Sequence, residues 1–131
     1  MKYKKILVGF VLLCCALFVG WKITKPQSNT LQSNFSVSIT INTGSSIATY
    51  NGVLASTVFE GLVRVTKKNN IPLETKQYDF GVFVEKIGIF NNTKDKVWIY
   101  YINGKSGDVA ADKKTVKNND AIEWRYTKPI Y

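Results

Sequence analysis

The sequence predicts an α+β domain, a mixed sheet covered by one helix, set behind an N-terminal membrane helix. Three observations carry this. A lysine-flanked apolar run occupies residues 6–21, several later segments place apolar residues at every second position, and one segment places them at every third or fourth. With 131 residues the chain has room for one domain, because a self-sufficient core usually needs about 100 residues.

The first segment, "MKYKKILVGFVLLCCALFVGWK", has a basic start, sixteen uncharged and mostly apolar residues, then Lys22. Sixteen helical residues span about 24 Å, a little short of the roughly 30 Å hydrocarbon core, but Tyr3 and Trp21 suit the interfaces and lysines can snorkel. An uncleaved anchor over residues 1–22 is therefore expected. A cleaved signal peptide and a bacterial lipoprotein are the alternatives, and both lack a good site: bulky Phe18 stands two places before Gly20, and Leu12 and Leu13 precede Cys14. Lys2, Lys4 and Lys5 form the tighter basic cluster, which places the C-terminal domain outside the cell. The expected location is the cell membrane, single-pass, with secretion after cleavage as the alternative.

The formal charge of +9 is partly this segment's. Five of the eighteen basic residues lie in the first 25 positions, and beyond them thirteen basic residues face nine acidic ones, a balance of +4 that is ordinary for a soluble domain. With only the short pairs Lys67-Lys68 and Lys113-Lys114 and no reading motif, no nucleic-acid partner is expected. Cys14 and Cys15, the two cysteines, both lie in the apolar run, so the exported part has no disulfide and no cysteine chemistry. Residues 23–34, polar and containing Pro26, read as a linker.

The domain is expected over residues 35–131. "FSVSITIN" alternates Phe35, Val37, Ile39 and Ile41 with polar residues, a strand with one buried face. After a turn at Gly44-Ser45, "SIATYNGV" reads as its hairpin partner, ended by Asn51-Gly52. In "STVFEGLVRVTKKNN" the period changes: Val58, Phe59, Leu62, Val63 and Val65 line one side of a helix, Thr57 and Glu60 form a capping box, and Asn69 or Asn70 with Pro72 ends it. "YDFGVFVEKIGIF", with bends at Gly81 and Gly88, "KVWIYYIN", bounded by Asn103-Gly104, and "DAIEWRY" complete the sheet. The order strand, strand, helix, strand, strand, strand is that of a β-grasp-like domain.

The pattern Trp98-x-Tyr100-Tyr101-x-Asn103-Gly104-Lys105, then Ala111-Asp112, then Val116-Lys117-Asn118-x-Asp120-x-Ile122-Glu123-Trp124-x-Tyr126 resembles the DUF4430 family, the transcobalamin-like C-terminal domain. The helix start at Thr57 and "FGVFVEKIG" match it in order, and the resemblance covers roughly residues 36–126. Two departures stand out: Asn119 replaces a common glycine before the last strand, and Ile89-Phe90 replaces small or polar residues after Gly88. The resemblance implies a module related to those that hold cobalamin against a helical barrel. No such barrel is expected in these residues, so cobalamin binding does not transfer by likeness alone.

Two readings of the C-terminal aromatics stay open. In one, Trp98 and Trp124 belong to the core. In the other, Tyr100 or Tyr101 with Asn103, Gly104, Lys105 and the loop to Asp112 forms a stacking platform for a planar ligand. The sequence has no histidine and no nucleophile motif, and Asp108, Asp112, Asp120 and Glu123 sit among lysines and turn residues. Neither catalysis nor a metal or cofactor is expected. The expected function is an outward-facing, membrane-anchored module that binds a small molecule, with a corrinoid-like ligand as the candidate, or a surface protein. The alternative is a structural envelope protein that assembles through protein contacts or strand addition.

Overall fold

The computed structural model describes residues 34–131. The expected membrane helix, and the linker up to residue 33, lie outside the described residues. Among the described residues no helix is long and apolar enough to cross a membrane. They belong to the compact unit Gln32–Tyr131, which closes a hydrophobic core of its own.

Strands β1 (Phe35–Asn42) and β2 (Ile47–Ala55) form an antiparallel hairpin. The Thr43 N–H donates to the Ser46 carbonyl at 3.0 Å across its turn. The expected end at Asn51-Gly52 is instead a bulge, and β2 runs on to Ala55. Pairing shifts from Ile39 with Tyr50 to Val37 with Val53, so β2 carries one extra residue. Gly52, at φ 67°, supplies the left-handed backbone such a bulge uses.

Helix α1 (Val58–Lys68) follows at once. The Thr57 hydroxyl accepts from the Glu60 N–H at 3.2 Å, and the Glu60 carboxylate accepts from the Ser56 N–H at 2.8 Å and the Ser56 hydroxyl. Val58, Leu62 and Val65 are buried, whereas Phe59 and Val63 are half-buried at the stripe's edges. At the other end Asn70 adopts φ 53° while the Ile71 N–H reaches back to the Thr66 carbonyl at 2.9 Å, a Schellman ending built on asparagine.

The cap carries a pH-dependent contribution. Burial raises the Glu60 pKa, but the Ser56 hydrogen bonds and Arg64 outweigh it, and the net shift is downward. A carboxylate depressed in the fold contributes stability that is present above its unfolded pKa and lost as pH falls through the folded value. Glu60→Gln is therefore expected to cost about 1 kcal/mol at neutral pH, the scale of a helix cap. Denaturation midpoints of parent and variant should converge as pH drops below the usual glutamate range, and a gap that stays constant with pH would refute this.

The chain then builds two sheets rather than one. β3 (Leu73–Tyr78), β4 (Gly81–Ile87) and the short β5 (Phe90–Asn91) form an antiparallel sheet of three. β6 (Val97–Ile102), β7 (Lys105–Ser106) and β8 (Ala121–Thr127) join the first hairpin in a five-stranded sheet of order β2-β1-β8-β6-β7. β8 lies between β1, to which it is parallel, and β6, to which it is antiparallel. The single strand expected across "YDFGVFVEKIGIF" is broken because Gly81 (φ 132°) and Gly88 (φ 65°) turn the chain at both ends of β4.

Period-two residues of β1, β8 and β6 share one core with the helix stripe: Val37, Ile39, Ile41, Ile122, Trp124 and Trp98 are all buried, as is Leu62. Packing is close at Gly61, where a Cβ would stand 2.7 Å from Ile39 Cδ1. Trp98 ties the two sheets together. Its indole N–H donates to the Phe90 carbonyl at 2.9 Å, and its backbone N–H donates to Asn92 Oδ1, whose amide in turn donates to the Val84 carbonyl.

Candidate functional site

Because successive strand residues point to opposite faces, β6 sends Trp98 and Tyr100 to the core side and Tyr101 to the other. Trp98 and Tyr100 are 4% and 7% exposed. Tyr100 pairs across the sheet with Trp124, ring centroids 5.6 Å apart. Its hydroxyl donates to the Val109 carbonyl, which fastens the loop after β7 over the sheet. Gly107 is required beneath it, since a Cβ there would fall inside the Tyr100 ring. Burial raises the Tyr100 pKa above the ordinary phenol value.

A cleft of about 540 Å³ opens between this loop and the β3–β4 hairpin. Trp98, Tyr100 and Trp124 line it from the sheet, Phe80 and Phe83 from the hairpin, and Val109 from the loop. The walls are exposed where the sheet side is buried: Phe80 is 62% and Val109 48% exposed. Tyr78 stacks on Phe80 with centroids 5.1 Å apart and meets Phe83 edge-on at 6.1 Å, so the hairpin tip is an aromatic cluster.

Asp112 braces the cleft. Its carboxylate accepts from the Val82 N–H at 2.9 Å, the chief cause of a lowered pKa, and lies against Gly81, where any Cβ would meet it. Gly81 at φ 132° thus fixes both the backbone turn and the close approach of loop to hairpin.

One polar atom stands apart. Trp124 is 2% exposed, and its indole Nε1 is the single buried side-chain nitrogen or oxygen without a hydrogen-bond partner among the described residues. Leaving a buried donor unpaired costs about 1–3 kcal/mol, and this nitrogen is sealed from solvent.

The residues singled out in the sequence are not gathered on one surface. Tyr100 and Asp112 support the cleft. Tyr101 is half-buried on the opposite face, with the Arg125 guanidinium 4.1 Å from its ring centroid and Arg125 itself paired to Glu123 at 2.7 Å. Asn103 (φ 49°) and Gly104 (φ 83°) are the left-handed pair of a tight hairpin turn, and the Asn103 side chain bonds Asp120 and the Ala121 N–H. Lys105 is exposed beside that turn. Phe80, Phe83 and Tyr78 escaped the sequence reading. The signal was present in "YDFGVF", where three aromatics flank a glycine on a strand too short to bury them all.

A family model for DUF4430, a domain of unknown function, matches residues 55–128. No curated protein matches the sequence. Among solved structures, haptocorrin in complex with Cbi is similar with a TM-score of 0.68 and 19% identity, over 76% of this chain and 26% of the haptocorrin chain. This chain thus spans about a quarter of the haptocorrin it resembles. A Ruminococcus gnavus protein described as a candidate metal-binding protein is similar with a TM-score of 0.56 and 17% identity, over 72% of this chain and 98% of its own. At these identities the likenesses show a shared fold. Among the described residues no three His, Cys, Asp or Glu side chains converge as metal ligands would.

Proposed function

This chain belongs to the DUF4430 family, and from that premise we propose that its outer domain captures a small, flat, largely apolar molecule in the cleft between the β3–β4 hairpin and the loop after β7. The observation that carries the reading is the cleft itself, about 540 Å³ and edged by the exposed rings of Phe80 and Phe83, with Trp98, Tyr100 and Trp124 lining its sheet side. Ligand sites characteristically combine apolar walls with a few polar groups that fix orientation. The fold of the module is read as β-grasp-like: a hairpin, a covering helix and a last strand parallel to the first support it. The likeness to haptocorrin in its Cbi complex supports a corrinoid-like molecule as the first ligand to try.

The reading includes the organisation expected from the sequence, with an anchor at residues 1–22, a linker at 23–34 and the binding domain outside the membrane. Binding rather than catalysis is the role, because the carboxylates near the cleft are engaged: Asp112 holds Val82 and Asp108 pairs with Lys114 at 2.9 Å.

Titration of residues 34–131 with corrinoids and planar aromatic compounds, followed by tryptophan fluorescence, tests this. Saturable quenching is expected. Phe80→Ala should weaken it by about tenfold, equivalent to 1.4 kcal/mol, while leaving the unfolding midpoint in place because the ring is largely exposed. Absence of saturable binding at near-millimolar ligand would overturn the reading.

A second reading, assembly by strand addition, rests on β2. It is an edge strand of nine residues, "IATYNGVLA", with no charged residue and with Ile47 and Leu54 exposed. Edges of that kind invite pairing with another strand. Concentration-dependent association in the absence of any ligand would favour it.

A further inference from the structure

We infer that the captured molecule carries an anionic group, seated in a second groove that adjoins the aromatic cleft across the Gly107–Val109 segment; this rests on the capture reading above. The second groove, about 640 Å³, shares Gly107, Asp108 and Val109 with the cleft, so the two hollows adjoin along one short stretch of chain. Gly107 has no side chain to raise a wall between them, and none is tolerated there because the Tyr100 ring fills the Cβ position.

The two hollows differ in chemistry. No cationic side chain lines the aromatic cleft. Lys105, Lys113, Lys114 and Lys117 line the second groove, against the two carboxylates Asp108 and Asp120. Both carboxylates are already engaged. Asp108 holds Lys114 at 2.9 Å, while Asp120 accepts from the Asn103 amide at 2.9 Å and from the Lys117 backbone N–H at 2.8 Å. The ammonium groups of Lys105 and Lys117 have no hydrogen bond or ion pair among the described residues. The groove therefore presents two uncommitted cations beside a site whose walls are apolar, the arrangement that suits a planar ring system bearing a carboxylate, sulfonate or phosphate. Cations bordering a hollow attract such a group more strongly at low ionic strength, because about 0.1 M salt screens exposed charges beyond roughly 10 Å.

The test uses two probes with one ring system, 1-anilinonaphthalene-8-sulfonate and the neutral N-phenyl-1-naphthylamine, titrated into residues 34–131, which close their own core. The sulfonate is expected to bind about tenfold more tightly at low salt, with the preference shrinking as salt rises. Combined Lys105→Glu and Lys117→Glu should bring the preference to parity or reverse it. Lys94→Glu, at a lysine lining neither hollow, should leave the preference intact. Equal affinity for both probes, or a Lys94→Glu effect as large as that of the double variant, would overturn the anionic subsite while leaving capture in the cleft standing. Failure of both probes to bind would overturn the capture reading with it.

Discussion

Leu62→Ala is expected to lower the unfolding free energy of residues 34–131 by about 2–5 kcal/mol, the range for emptying a buried leucine site. Leu62 is fully buried, in the middle of the α1 stripe, among the apolar side chains that β1 and β8 send to the same face. The neighbouring strands are hydrogen-bonded on both sides and cannot collapse into the gap without breaking register, which argues for the upper half of that range. Arg64→Ala is the internal control. Arg64 is exposed and pairs with Glu60 one turn away, so its removal should cost only a few tenths of a kcal/mol. The two variants compared by chemical denaturation give the answer directly, and an unmoved midpoint for Leu62→Ala would remove α1 from the core.

The same helix shows why much of the fold was legible in the sequence. Its stripe, its cap at Thr57 and its asparagine ending are all local, and each follows from residues within one or two turns. β1 and β8 were equally clear because alternation declares a strand with one buried face, and β6 because its β-branched and aromatic run ends at Asn103-Gly104. β3 was not. "LETKQY" exposes nearly every side chain, so it carries no periodic apolar signal, and its ladder with β4 is supplemented by Leu73 on the core and by the Tyr78 ring contacts. The split into two sheets was hidden for a similar reason: a glycine in a strand pattern reads as a bend, and only the long-range pairing of β8 with β1 shows that the later strands belong to a different sheet from β3–β5.

The candidate site was less legible than the fold. Alternation on β6 already separated Tyr100 from Tyr101, so the two could not have served one platform together. What the sequence could not supply was the partner surface. The aromatic hairpin tip at Phe80 is held beside the loop after β7 by Asp112 reaching Val82, a contact across thirty positions of sequence. Asn119, in contrast, behaves as its residue type allows: at φ 67° it fills a left-handed position, which asparagine tolerates better than most residues.

Tyr100→Ala is expected to be about as costly as any single change in this domain, roughly 3–5 kcal/mol for a large buried aromatic. Three losses combine. The ring leaves its packing against Trp124, the hydroxyl no longer holds the Val109 carbonyl, and the space over Gly107 empties. Tyr100→Phe isolates the middle one and should cost about 0.5–1.5 kcal/mol, the net worth of a typical internal hydrogen bond. Because burial raises the Tyr100 pKa, the neutral phenol is the form the fold favours. The stability it contributes is complete below its unfolded pKa and is lost as pH rises through the folded value, so the parent should weaken in alkali more than Tyr100→Phe does. Tyr101→Ala provides the contrast: half-buried on the other face under Arg125, it should cost no more than about 1 kcal/mol, the scale of an exposed cation–π pair. Denaturation midpoints for the three variants, measured across the alkaline range, decide between a tyrosine that supports the cleft from beneath and one that meets the ligand as an exposed ring. A Tyr100→Ala domain as stable as the parent would establish the exposed ring and dismiss the support.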